Sequence, residues 1–255
     1  MSEPLLQVDR LAKRFGGIVA TDDLSLAVAP GELLAVIGPN GAGKTTLIAQ
    51  LCGQLTPDSG GIRFDGRDIT ALPMYRRGLL GLARSFQITS LFHELSVLDN
   101  VALAVQAHAG HSFHFWRDAR GEPQLREPAR AALARVGLAE RANWRASALS
   151  HGEHRQLELA MALAGNPRML LLDEPMAGLG PEESARMVDM LQALKREFTI
   201  LLVEHDMEAV FALADRITVL VYGRAIASGT PDVIRADEAV REAYLGEDGE
   251  GAGHA

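Results

Sequence analysis

The 255-residue chain predicts an α/β fold: a mostly parallel sheet, an antiparallel β subdomain and an inserted α-helical subdomain. Three observations carry that expectation. Apolar runs of strand length, Leu33–Ile37, Met169–Asp173, Thr199–Glu204 and Ile217–Val221, are separated by helical stretches, and buried strands alternating with helices build parallel sheets. Near the start of the chain, residues 5–9 and 24–28 instead alternate apolar and polar, as half-buried antiparallel strands do. From about Ile88 to Leu149 the strand-like runs disappear and helical composition takes over.

In order, Leu24, Leu26 and Val28 mark the inward face of an early strand, and Pro30-Gly31 marks a turn. Leu33–Ile37 is solidly apolar, hence covered on both faces, and runs into a glycine-rich loop at 38–43. A helix is expected from about Lys44 to Leu55, a loop at 57–61, and a short strand from Gly61 to Phe64. In the helical region, Val97–Ala107 and Glu127–Val136 have helical spacing, with a polar and aromatic loop from His111 to Pro123 between them. Glu182–Arg196 places Met187, Met190, Leu191 and Leu194 on one helix face. The final segment, Gly246–Ala255, holds four glycines and no large apolar side chain, so it is expected to fray.

Composition excludes several classes of protein. With 47% hydrophobic and 23% charged residues the chain can build a sizeable core. A net charge of −8 argues against a nucleic-acid binder that relies on a general positive field. The single cysteine, Cys52, excludes an intrachain disulfide framework and fits a reducing compartment. The N-terminus shows no secretory pattern, and no apolar run approaches the ~20 residues of a membrane-spanning helix. The expectation is a chain soluble by itself that meets a membrane only through partners.

The chemistry begins with Gly38-Pro39-Asn40-Gly41-Ala42-Gly43-Lys44-Thr45, followed by Thr46, which fits G-x-x-x-x-G-K-[ST]. A phosphate chain needs many donors at close range, and glycines let backbone N–H groups turn inward with no Cβ in the way. The loop also opens a helix, whose free N–H groups face the anion. Lys44 can reach the β and γ phosphates, and the Thr45 hydroxyl can ligate Mg²⁺.

A second strand, Met169–Leu172, ends in Asp173-Glu174-Pro175. Asp173 at the carboxyl end of a core strand can hold Mg²⁺ through water, while Glu174 faces the γ-phosphate and polarises the attacking water. Taken by themselves, two acids after an apolar run would more simply terminate a strand at the surface; the phosphate loop in the same chain reverses that preference. A third apolar strand ends in Glu204-His205-Asp206, which makes His205 a candidate γ-phosphate contact.

These residues resemble the nucleotide-binding subunits of ABC transporters. The decisive segment is Leu149-Ser150-His151-Gly152-Glu153, similar to the family signature L-S-G-G-Q and placed shortly before the acidic strand. Gln87 matches the Q-loop, His205 the H-loop, and Phe15 the aromatic that stacks on adenine. The resemblance implies a P-loop NTPase with an ABC ATPase core, one domain over 5–246 (core 5–87 and 150–246, helical subdomain about 88–149) and a disordered tail at 247–255. It implies ATP and Mg²⁺ as cofactors, the metal held by Thr45, Gln87 and Asp173, with Glu174 and His205 catalytic. It further implies that two such subunits pair head to tail, so that each ATP lies between one phosphate loop and the partner's signature segment, Ser150 and Gly152 donating. The implied partners are a second ABC ATPase, a heterodimer being favoured, two transmembrane permeases and indirectly a periplasmic substrate-binding protein, with no nucleic acid. The implied location is the cytoplasmic face of the cell membrane.

Two departures from the family pattern stand out. His151 and Glu153 replace Gly and Gln of the signature, and Gly180 stands where the D-loop usually has aspartate. The segments Leu157–Ala160, Val203–Met207, Gly229-Thr-Pro and Ala243–Glu247, with the long insert around 104–127, are similar to importer subunits for branched-chain amino acids and related compounds such as urea. The alternatives are the ATPase of another transporter, for urea or for lipid export, a soluble ABC ATPase acting on ribosomes or DNA, and a nucleotide-gated module that does not hydrolyse. One phosphate loop, no heptad run and an acidic charge oppose the soluble ATPase; Glu174 and His205 oppose the gated module.

Three features are read as structural. His108, His111 and His114 recur every three residues, but Gly110 and the neighbouring aromatics favour a loop or partner-facing surface over a metal site. Cys52 reads as a small apolar residue. His151 and His154 lack the spacing of a zinc protease.

Overall fold

The computed structural model describes residues 3–85, 91–109 and 122–242. The early alternation becomes an antiparallel hairpin of β1 (Leu6–Phe15) and β2 (Ile18–Val28), with Leu6, Val8, Leu11, Leu24, Leu26 and Val28 buried. With β4 (Ser59–Phe64) and β5 (Arg67–Asp68) it forms a four-stranded sheet in the order β2-β1-β4-β5.

The solid apolar runs become the second sheet. It is built from β3 (Leu33–Ile37), β6 (Leu82–Arg84), β7 (Met169–Asp173), β8 (Thr199–Val203), β9 (Arg216–Val221) and β10 (Arg224–Gly229), in the order β10-β9-β3-β8-β7-β6. Its pairings are parallel apart from the β9–β10 hairpin. All residues of β3, β7 and β8 are buried, which is why these strands read as continuous apolar runs. The two-residue side-chain period divides each of them between two cores: Leu33, Ala35 and Ile37 join one, Leu34 and Val36 the other.

Eight α-helices surround the sheets among the described residues: α1 (Lys44–Cys52), α2 (Met74–Leu79), α3 (Val97–Ala109), α4 (Pro123–Arg135), α5 (His151–Leu163), α6 (Pro181–Leu194), α7 (Met207–Leu213) and α8 (Pro231–Ala236). Helices α3, α4 and α5 pack on one another away from the four-stranded sheet. No helix among the described residues is long and apolar enough to cross a membrane.

Two boundaries differ from the expectation. Helix α1 ends at Cys52, three residues early, because Gly53 turns left-handed (φ 83°) and its N–H closes back on the carbonyls of α1. Helix α4 starts at Pro123 instead of Glu127, since a proline in the first turn sacrifices no intrahelical hydrogen bond. The tail, and the segment that carries His111 and His114, lie outside the described residues.

The end of α1 depends on a residue with no sequence signal. Arg77, only 2% exposed, donates from Nη1 to the carbonyls of Gln50 and Leu51 (both 2.7 Å), from Nε to Leu72 O (2.8 Å) and from Nη2 to Thr70 O (2.9 Å). A cation on the last carbonyls of a helix opposes its dipole and satisfies acceptors that have no intrahelical partner. Arg77→Ala would remove this donor from two buried and two part-buried carbonyls, and a loss of about 3 kcal/mol is expected. Urea unfolding checks this; an unchanged midpoint would show that the carbonyls find other donors.

Candidate active site

The glycine-rich loop leaves β3 at Ile37 and wraps onto α1. At two positions packing itself demands glycine. A Cβ on Gly43 (φ +102°) would strike the Ala20 carbonyl, and one on Gly38 would strike the Leu220 carbonyl. The loop is thereby clasped between the β1–β2 hairpin and the β9–β10 turn. Backbone bonds from Gly223 N to Ala42 O and from Asp22 N to Gly223 O (both 2.9 Å) complete the clasp. Lys44 is buried and its Nζ curls back to donate to Gly38 O (2.5 Å) and Pro39 O (2.9 Å). Its charge is thus aimed into the loop it belongs to. Of the remaining loop residues, Pro39, Gly43 and Thr46 are partly covered, Ala42 is buried, and Asn40, Gly41 and Thr45 are exposed.

Parallel register brings the acids and the histidine to the same end of the sheet. β8 lies between β3 and β7, with Val36 beside Val203 and Val203 beside Asp173. The loops that begin at Gly38, Glu174 and Glu204 therefore leave three adjacent strands side by side. Asp173 is buried, and its Oδ2 accepts from Arg84 Nη2 at 3.0 Å. Burial pushes the Asp173 carboxyl above the usual carboxylate range, against the pull of the Arg84 and Lys44 charges. Its Oδ1 is buried without a hydrogen-bond partner. A carboxylate oxygen left in that condition fits a hard cation or its water, so the residues present suit Mg²⁺.

Glu174 is half-buried and adopts φ +50°, with its N–H donated to Val203 O at 2.9 Å. That left-handed conformation is costly for a non-glycine residue and recurs at functional positions. His205 is exposed at the end of β8. Phe15 is 50% exposed at the end of β1, in the hairpin that clasps the loop, with Lys13 Nζ 5.8 Å from its ring centroid. Gln87 lies outside the described residues.

The signature segment stands apart from this cluster. Ser150 is the N-cap of α5: its Oγ accepts from Glu153 N (3.2 Å), and Glu153 Oε2 accepts from Ser150 N (2.9 Å). Glu153 Oε1 in turn accepts from Arg141 Nε at 3.1 Å, so the acid is a capping-box residue whose charge is offset. His151 sits against Gly178, and a Cβ on Gly152 would meet Glu183 Oε1 at 2.7 Å. Leu149 is buried in the core. A cavity of about 420 Å³ beside Ser150, Gly152 and Arg141 has no residue of the phosphate loop in its lining. Gly180 is the N-cap of α6, and a Cβ there would meet nothing within 4 Å, so an aspartate would fit.

The residues read as structural keep ordinary bonds. His154 Nε2 is 2.8 Å from Ala146 O, His108 Nδ1 is 2.9 Å from Ala104 O, and Cys52 Sγ donates to Ala49 O at 3.4 Å. Sequence reasoning missed Arg84, Glu204 and Arg141 as parts of the site. Glu204 carried one usable signal, an acid closing the apolar run Ile200–Val203.

A glycine-rich loop opening a helix, with a buried acid and a second acid at the carboxyl ends of adjacent strands, suits triphosphate binding and cleavage. The fold and site thus define a nucleotide-hydrolysing α/β cassette. The chain belongs to the ABC transporter ATPases: the family's sequence model matches residues 21–177. A second model, described as branched-chain amino acid ATP-binding cassette transporter, matches residues 226–250. Among curated proteins, the high-affinity branched-chain amino acid transport ATP-binding protein BraF of Pseudomonas aeruginosa is 40% identical over 97% of this chain and 100% of its own length. The corresponding protein LivG of Escherichia coli is 39% identical over the same shares. Among solved structures, the ADP conformation of MJ1267, an ATP-binding cassette of an ABC transporter, superposes with a TM-score of 0.85 at 29% identity, covering 96% of this chain and 100% of that one.

Proposed function

We propose that this chain is the ATP-hydrolysing motor of an importer for branched-chain amino acids or related amides. The observation that carries this reading is the likeness to BraF and LivG over their whole length, joined by the match of residues 226–250 to the branched-chain amino acid family.

The residues have these roles. The backbone of Gly38–Thr46 cradles the phosphates, Lys44 neutralises the β and γ oxygens, and Phe15 stacks on adenine. Thr45, Asp173 and Gln87 would hold Mg²⁺, which when bound offsets phosphate charge. Glu174 accepts the proton of the attacking water, and His205 donates to the γ-phosphate. Ser150 and Gly152, at the N-terminus of α5, present donors to a nucleotide held by a second cassette; the cavity beside them has no phosphate-loop residue in its lining, which supports that reading. ATP joins the two cassettes, and ADP with phosphate bridges them poorly, so hydrolysis lets them part. The opening drives two permease subunits at the cytoplasmic face, fed by a periplasmic binding protein. The second cassette is another ABC ATPase, a distinct sibling being favoured in the transporter and a second copy of this chain taking its place in the isolated protein.

Affinity purification from detergent-solubilised membranes is expected to retrieve two integral membrane subunits with this chain. Deleting its gene is expected to abolish energised uptake of labelled leucine, isoleucine and valine. Recovery as a soluble protein without membrane subunits, together with intact uptake, would remove the importer reading.

A further inference from the structure

β8 is five buried residues, Thr199 and four apolar ones, followed by a charge that belongs in water. Glu204 is nonetheless 0% exposed. A buried carboxylate is tolerable only where its oxygens are hydrogen-bonded. The partners of Glu204 are backbone N–H groups of the two loops leaving β7 and β8. Oε1 accepts from Met176 N at 2.9 Å; Oε2 accepts from His205 N at 2.9 Å and Asp206 N at 3.4 Å. His205 Nδ1 lies 3.6 Å from the same Oε2. One carboxylate therefore spans the loop that carries Glu174 and the loop that carries His205. The Glu174 N–H bonded to Val203 O laces the same two segments a second time. Glu174 holds φ +50°, a conformation that persists only when its surroundings over-determine it, and the Met176 bond two residues on supplies one such constraint. Beyond the histidine, Asp206 Oδ1 accepts from Glu208 N (3.0 Å) and Ala209 N (3.2 Å), which fixes the far end of the H-loop to α7.

We propose that Glu204 is a positioning residue for hydrolysis, locking the Glu174 loop to the His205 loop so that base and γ-phosphate contact keep one relative placement. The proposal rests on the roles given above to those two residues. Glu204 reaches neither water nor phosphate; it acts through three backbone donors, and bonds from N–H groups to an ionised acceptor are among the stronger ones.

The test is steady-state ATP hydrolysis by the full chain in its transporter complex. Glu204→Gln keeps shape but turns an amide NH₂ toward one set of N–H donors. Glu204→Asp keeps the charge but falls one methylene short of Met176. Each is expected to lower kcat about ten- to hundredfold with KM for ATP within about twofold, as misplacement of reacting groups does. In a Glu174→Gln background, adding Glu204→Gln is expected to leave ATP-driven dimerisation intact and to lower turnover no further, since a lock is idle once the base is gone. Wild-type kcat in both variants, a raised KM at unchanged kcat, or losses that multiply with Glu174→Gln would overturn the proposal. Failure of both variants to fold would assign Glu204 to the fold alone and overturn it equally. Wild-type turnover in Glu174→Gln by itself would instead remove the base, and the lock with it.

Discussion

Lys44→Ala is expected to abolish productive ATP binding and to lower turnover by about 10³-fold or more, the scale on which preorganised charge in a phosphate site acts. The geometry explains why the loss should be so large. Lys44 is buried against the loop carbonyls of Gly38 and Pro39, so its ammonium is already in place and partly stripped of water before any phosphate arrives. Exchanging carbonyl oxygens for phosphate oxygens then needs little reorganisation, and the low local dielectric strengthens each contact. Removal also takes away one of two cations near Asp173, whose carboxyl burial already pushes up. A more readily protonated Asp173 is a poorer cation ligand, so the variant weakens two parts of the site. Titration with a fluorescent ATP analogue and a phosphate-release assay check this. Unchanged affinity and turnover would refute the role given to Lys44, and a lost thermal transition would show that the lysine serves the loop's fold instead.

What was legible in the sequence followed the range of the interaction. β3, β7 and β8 were readable because burial on both faces leaves them almost wholly apolar, and their carboxyl ends pointed to the phosphate loop, the acid pair and the histidine. Ser150 caps α5 through bonds settled within four residues, a pattern that needs nothing distant. The short elements were not: β6 has three residues and β5 two, too few for any period to register. The largest omissions are charges whose partners lie far along the chain. Arg84 meets Asp173 across 89 positions, Arg77 reaches α1 across 26 and 27, and Glu204 reaches Met176 across 28. Apart from the apolar strand that Glu204 closes, nothing local distinguishes such residues from surface charges. Glu153 and Gly180 depart from the family pattern. In the fold Glu153 closes a capping box with Arg141 behind it, and Gly180 starts a helix in a place with room to spare.

Glu174→Gln is expected to retain ATP binding, lose turnover by about 10²-fold or more, the range of general-base catalysis, and accumulate a closed dimer of cassettes. The two acids at the end of β7 are unlike in the way this outcome requires. Asp173 is buried, with Oδ2 tied to Arg84 and Oδ1 in the condition that suits the cation, so the attacking water falls to the other acid. Glu174 is one residue further on, half-buried at the mouth of the crevice, with its backbone fixed at φ +50° by the bond to Val203 O. A glutamine there keeps size and backbone but cannot take a proton, so the loop, the Glu204 lock and the phosphate cradle all persist. With cleavage blocked, the γ-phosphate stays to join Lys44 of one chain to Ser150 and Gly152 of another. Size-exclusion chromatography with light scattering, with and without ATP, checks the dimer, and a phosphate assay checks turnover. Adding Ser150→Arg to the same chain places a bulky side chain at the α5 N-terminus and is expected to return the protein to monomer while each chain still binds ATP. Wild-type turnover in Glu174→Gln would remove it as the base. A dimer that survives Ser150→Arg would show that the cassettes meet through some other face than the one where α5 opens.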